Sequence, residues 1–297
     1  MADTPSAMHV AGEGSPLVLL HGLGGTWDIW KPVLPALEAR HRVIALTLPG
    51  HHGGPDYAGS GDATVAGLAD QVIATLRREG VDHAHVAGNS LGGWLAVELA
   101  RRGFARSVTA FSPAGAWRTE ADYRAVATPF RVFYAIVGVI LFIARLLGGA
   151  TWLRKALTRQ MMKHGERLSA ADFLGMLRAM AGTTVLRGLL RTMGRDGGVA
   201  PLDAGSIPTR IAWGGCDAVI PWARYGEPFV ERIAGVEATT VSGVGHVPMY
   251  DDPGRIATSI LEVTRRAEQA AARAGGATRA TYAAGAVAAP PDLGSAA

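Results

Sequence analysis

The sequence predicts an α/β fold: a mostly parallel central sheet flanked by helices, with a helical segment inserted into it. Three observations carry that expectation. Short apolar runs alternate with segments of helical apolar spacing, as strands joined by crossover helices require. Several runs stop at glycine-rich turns. Between about residues 117 and 198, helical patterns instead follow one another without strands.

Taken in order, Pro16-Leu17-Val18-Leu19-Leu20 reads as a buried strand running into a glycine-rich turn at 21–25, and 42–46 as a second strand. Residues 65–76 carry apolar side chains at helical spacing, 84–87 form a strand, 94–99 a helix and 107–111 the strand after it. Residues 209–216 are an apolar strand that breaks at paired glycines, and 236–241 are another strand. Ile256, Ile260 and Val263 have the spacing of a helix packing one face on the sheet. Beyond about residue 267 the chain drifts into Ala, Gly and Pro, with too little apolar bulk to offset the entropy of ordering. The expected organisation is therefore a core of residues 1–116 and 199–266, an insertion at 117–198 and a disordered tail at 267–297. A chain of 297 residues accommodates one large α/β domain of this kind.

Chemistry concentrates in four segments. Gly88-Asn89-Ser90-Leu91-Gly92 lies between a strand and a helix, the context in which G-x-S-x-G lifts a serine hydroxyl clear of the backbone. The turn is tight and the nucleophile's backbone strained, so the flanking glycines let strand and helix approach without Cβ clashes. A serine hydroxyl needs an imidazole to take its proton and a carboxylate to orient that imidazole. Asp217, at the C-terminal end of an apolar strand, and His246, in a loop after the next strand, follow Ser90 in that order. The turn His21-Gly22-Leu23-Gly24-Gly25 can aim backbone N–H groups at a developing negative charge, and the amides of Leu23 and Leu91 are the expected oxyanion donors. This turn lacks the Lys-Ser/Thr ending of a P-loop and the spacing of a dinucleotide fingerprint.

Together with Leu48-Pro49-Gly50-His51, Trp213-Gly214-Gly215-Cys216-Asp217 and Gly245-His246-Val247-Pro248, these motifs resemble the α/β-hydrolase superfamily from about Val18 to about Val263. The resemblance implies a serine hydrolase acting through Ser90, His246 and Asp217, with the insertion as a helical cap over the active site and no cofactor. Thr47 departs from the family pattern, where an aspartate often precedes Leu-Pro-Gly; that position is not catalytic. The superfamily hosts many chemistries. Carboxylic esters with hydrophobic groups lead. C–C bond hydrolysis of ring-fission diketones, also found beside Gly-Asn-Ser, stays open, as do perhydrolysis and a non-catalytic or slow small-molecule receptor. Epoxide hydrolases and haloalkane dehalogenases fit poorly, because they need an aspartate where this chain has Ser90.

The cap sequence is unusual. Residues 132–144 are unbroken by charge. The run is shorter than the ~20 apolar residues of a membrane span. It reads first as a helix buried between cap and core, and second as a surface lining an apolar pocket or touching a membrane. Residues 118–195 hold thirteen Lys/Arg against four Asp/Glu, a net +9 where the whole chain carries +4. A basic, apolar helical segment suits an anionic membrane surface, so peripheral contact there is expected to be possible. Nucleic acid is not expected, since no nucleic-acid-binding motif accompanies the charge. Met161, Met162, Met176, Met180 and Met193 suit either ordinary packing or an adaptable pocket.

The single cysteine, Cys216, excludes an intramolecular disulfide and a cysteine metal cluster. His51-His52 has no accompanying ligand spacing, so no metal is expected. His21 and His51 are read as shaping the loops near the site, and Asp251 and Asp252 as helix caps. The first residues carry neither a basic nor an apolar leader region, which points to a cytoplasmic location.

Overall fold

The computed structural model describes residues 6–147, 150–205 and 207–285. The first part of the chain forms β1 (Met8–Ala11), β2 (Pro16–Leu20), α1 (Leu34–Glu38), β3 (Arg42–Leu46) and α2 (Val65–Arg78). β4 (Ala84–Asn89), α3 (Leu91–Arg101) and β5 (Ala105–Phe111) follow. Next come the inserted helices α4 (Glu120–Leu146), α5 (Thr151–Thr158), α6 (Ala170–Ala181) and α7 (Leu186–Arg195). The chain then returns to the core through β6 (Leu202–Asp203), β7 (Thr209–Gly214), α8 (Glu227–Val230), β8 (Ile233–Ala234), β9 (Glu237–Val241) and α9 (Pro253–Gly285).

Seven strands form one sheet in the order β1-β3-β2-β4-β5-β7-β9. All neighbours pair in parallel except β1, which is antiparallel to β3. This short, half-exposed edge strand is absent from the sequence reading because its four residues bury no clear face. The period-two geometry of a strand sends alternate side chains to opposite faces, and two hydrophobic layers result. Val18, Leu20, Ile44, Leu46, Val86, Val108, Ile211 and Trp213 pack with α2 and α3. Leu17, Leu19, Val43, Ala45, Ala87, Phe111 and Ala212 pack with α1 and α9. Each such fully buried Val, Leu, Ile or Phe contributes roughly 1.5–3 kcal/mol, so strand register is strongly specified.

Two expectations need correction. α9 continues to Gly285, past the point near residue 267 where the disordered tail was expected to begin. The alanine-rich sequence has high helix propensity, which favours helix without needing a buried face; residues 286–297 lie outside those described. The apolar run 132–144 also does not make an enclosed helix. α4 starts at a capping box, with Thr119 and Asp122 exchanging hydrogen bonds, and runs 27 residues. It buries Tyr123, Ala127, Val137, Leu141 and Ala144, while Val132, Ile136, Val139, Ile143 and Leu146 are exposed. The core stops beneath its inner face, where α6 packs on it.

Candidate active site

The C-terminal ends of β2, β4, β7 and β9 meet at one sheet edge, and the sequence motifs extend from these ends. β4 passes into α3 through Ser90, whose backbone has φ 55° and ψ −116°. A non-glycine residue with positive φ is strained, and the close packing here sustains it. A Cβ on Gly88 would lie 2.0 Å from the Gly92 carbonyl oxygen, and one on Gly92 would lie 2.1 Å from that of Leu20. Strand, turn and helix fit only because neither residue has a side chain. Ser90 N–H donates to the Phe111 carbonyl at 3.0 Å, anchoring the turn to β5.

Asp217 and His246 are brought together. His246 Nδ1 lies 2.7 Å from Asp217 Oδ2, and both side chains are buried. Asp217 Oδ1 accepts from the backbone N–H groups of Val219 and Ile220, each at 2.9 Å. The carboxylate is thus fixed from behind while its other oxygen holds the imidazole. Ser90 is 9% exposed, and no hydrogen bond joins its hydroxyl to the His246 ring. The connection between the two residues runs through Asn89, whose amide donates to the carbonyls of His246 at 2.8 Å and Phe111 at 3.1 Å. Asn89 therefore couples the strand that leads into Ser90 to the loop of His246, and its amide nitrogen is engaged with backbone.

The 21–25 turn lies against the serine: a Cβ on Gly22 would be 3.1 Å from Ser90 Cβ. His21 shapes it. Its Nε2 accepts from Leu48 N–H at 2.9 Å, so Nδ1 carries the proton and donates to the Gly22 carbonyl at 2.7 Å. Burial, assisted by neighbouring His51, pushes the His21 pKa well below its ordinary value. Burial likewise pushes that of His51 down to about 4. Both rings are neutral supports of the loops, 4.9 Å apart edge to face.

The inserted helices and the loops joined to them meet this edge at three places. Tyr134 of α4 places its hydroxyl over Gly24, where a Cβ would be 1.7 Å away, and Met180 of α6 packs beside it. That hydroxyl is buried and has no hydrogen-bond partner; Thr183 nearby donates instead to the Ala179 carbonyl at 2.9 Å. Burial raises the Tyr134 pKa, keeping the phenol protonated. Val185 packs on Gly50, whose carbonyl accepts from Thr184 N–H at 2.9 Å. Met161 accepts from Val247 N–H at 2.8 Å, beside His246.

Asp251 reinforces the third contact. Its carboxylate accepts from the N–H groups of Gly245 at 2.7 Å, Lys163 at 2.9 Å and His164 at 2.7 Å. It is thus a buried tie between cap and histidine loop, whereas Asp252 caps α9 through Arg255 N–H at 3.0 Å. Neither Tyr134 nor the tie made by Asp251 was singled out from sequence. A cleft of about 550 Å³ opens between α4 and α7, with Arg131, Tyr134, Thr184 and Arg187 among its lining. Among the described residues, no three His, Cys, Asp or Glu side chains converge as metal ligands.

The chain belongs to the alpha/beta hydrolase family, whose model matches residues 17–259. Similar proteins make it a hydrolase. Epoxide hydrolase EphH of Mycobacterium tuberculosis is 34% identical over 205 residues, covering 66% of this chain and 94% of that relative. An esterase from Thermogutta terrifontis superposes with a TM-score of 0.68 at 20% identity, over 88% of this chain and 93% of that one. The meta-cleavage product hydrolase of Pseudomonas fluorescens IP01 superposes with a TM-score of 0.65 at 19% identity, over 88% and 94%. These two structures share the fold.

Proposed function

We propose that the protein hydrolyses carboxylic esters with hydrophobic groups through an acyl-enzyme on Ser90. The observation that supports this most is the buried Asp217–His246 pair at 2.7 Å, beside a serine on a strained strand-to-helix turn. His246 takes the Ser90 proton as the hydroxyl attacks the ester carbonyl, and Asp217 stabilises the imidazolium. The N–H groups of Leu23 and Leu91 bind the oxyanion. His246 then protonates the departing alcohol, and the same ring activates water to release the acid. The unpartnered Tyr134 hydroxyl is available as a donor to a polar atom of the substrate.

Identity to an epoxide hydrolase favours a second reading, and the chemistry of Ser90 weighs against it. Attack of a serine hydroxyl on an epoxide carbon gives an alkyl ether, which has no carbonyl for water to attack. An ester intermediate, by contrast, can turn over. The test is a p-nitrophenyl ester chain-length series run beside styrene oxide, with fluorophosphonate labelling of wild type and Ser90→Ala. Ester turnover and labelling that both vanish in the variant are expected. Turnover of styrene oxide with inert esters would reverse the assignment, and ligand binding without labelling would favour a receptor.

A further inference from the structure

The outer face of α4 has a composition that the hydrolase reaction does not explain. Val132, Ile136, Val139, Ile143 and Leu146 recur at alternating spacings of four and three, forming one stripe along the helix. Phe142 and Leu147 widen it, and Trp152 extends it onto α5; Phe142, Leu146 and Trp152 are 62%, 72% and 64% exposed. Of the large hydrophobic side chains exposed among the described residues, only Val10 lies elsewhere. Such concentration in one patch marks an interaction surface.

Charge identifies the partner. From Tyr123 to Gly165 the sequence has seven Lys/Arg and no Asp/Glu. Arg131 and Arg145 are exposed at the two ends of this run of α4, while Lys155 is exposed on α5 and Arg159 just after it. We propose that this face docks flat on an anionic lipid bilayer, with the apolar stripe and Trp152 in the interface and the basic residues at phosphate level. A two-fold dimer through the same face would set these positive charges against their own copies. A spanning orientation also conflicts with the fold. The helix has the length and mean hydropathy (2.1) of a span, yet its opposite face holds Val137, Leu141 and Ala144 in the core and Tyr134 over Gly24. The uncharged stretch between Arg131 and Arg145 would reach only about 20 Å, against a hydrocarbon core of about 30 Å.

The test is flotation of the full chain with vesicles of equal parts phosphatidylglycerol and phosphatidylcholine, compared with phosphatidylcholine alone. Binding is expected only to the anionic vesicles, weakening with salt and released by alkaline carbonate. Phe142→Glu combined with Leu146→Glu should reduce it by more than ~10-fold, with circular dichroism confirming the fold. Arg145→Gln with Lys155→Gln should reduce both binding and its salt dependence, and decides the matter if the glutamate pair does not fold. Absence of binding at low salt, binding unchanged by both variant pairs, or resistance to carbonate would each overturn the proposal. So would a dimer in light scattering that the glutamate pair dissociates in the absence of lipid binding.

Discussion

α3 and α4 are both rich in apolar residues around their circumference, yet they meet opposite surroundings. Every residue of α3 from Leu91 to Ala100 is buried, and the helix packs on the sheet and against α2. α4 buries five of its 27 residues and leaves an apolar stripe uncovered from Val132 to Leu146. Hydrophobicity reports how much surface a segment is able to hide; the layers available decide how much is hidden. In the core, that surface fixes the backbone geometry of Ser90, while in the insertion part of it stays exposed.

Substitutions that act on the core side should have the largest effects. Ser90→Ala or Asp217→Asn should lower kcat/KM for the best p-nitrophenyl ester by ~10⁴-fold, with unfolding midpoints close to wild type. A loss below ~10-fold for Ser90→Ala would place the nucleophile elsewhere. Next comes Gly92→Ala, whose new methyl would face the Leu20 carbonyl at 2.1 Å. It should cost more than ~3 kcal/mol in urea unfolding, and near-wild-type stability would mean that the turn has slack.

A third contrast concerns pH. His51 in the folded chain titrates near 4, lowered first by burial, against 6.5 for an ordinary histidine. The unfolded chain therefore takes up the proton first as pH falls. Stability from this group is complete above about pH 6.5 and is lost progressively toward pH 4, by ~3 kcal/mol in total. His51→Gln should flatten that slope in urea midpoints measured across the window; an unchanged slope would assign it to other groups. The smallest effect belongs to the cap side. Tyr134→Phe removes an unpartnered buried hydroxyl, so stability should rise by up to ~1 kcal/mol. If the hydroxyl contacts substrate, as proposed, kcat/KM falls in the same variant. A rise in stability with unchanged kinetics would leave Tyr134 a packing residue.

The difference between the two regions also governs what could be read from sequence. The strained turn at Ser90 and the meeting of Asp217 with His246 are legible because both restrict residue type locally: glycine where backbones touch, an acid at a strand end, an imidazole in the following loop. The sheet is legible because its strands are continuously apolar. Tyr134 is concealed within an apolar run, where one hydroxyl barely alters the pattern. Asp251 looks like a cap because the N–H groups of Lys163 and His164 lie more than eighty residues away in the chain. The exposed side of α4 is illegible for a related reason: its two stripes are equally apolar, and only the third dimension separates them.

Asp251 has a mechanical consequence. By gripping Lys163 and His164 on one side and Gly245 on the other, it ties the insertion to the loop beside His246. The inserted helices are therefore fastened at this point to the loop that carries His246, while Tyr134 over Gly24 and Val185 on Gly50 make the other two contacts with the sheet edge.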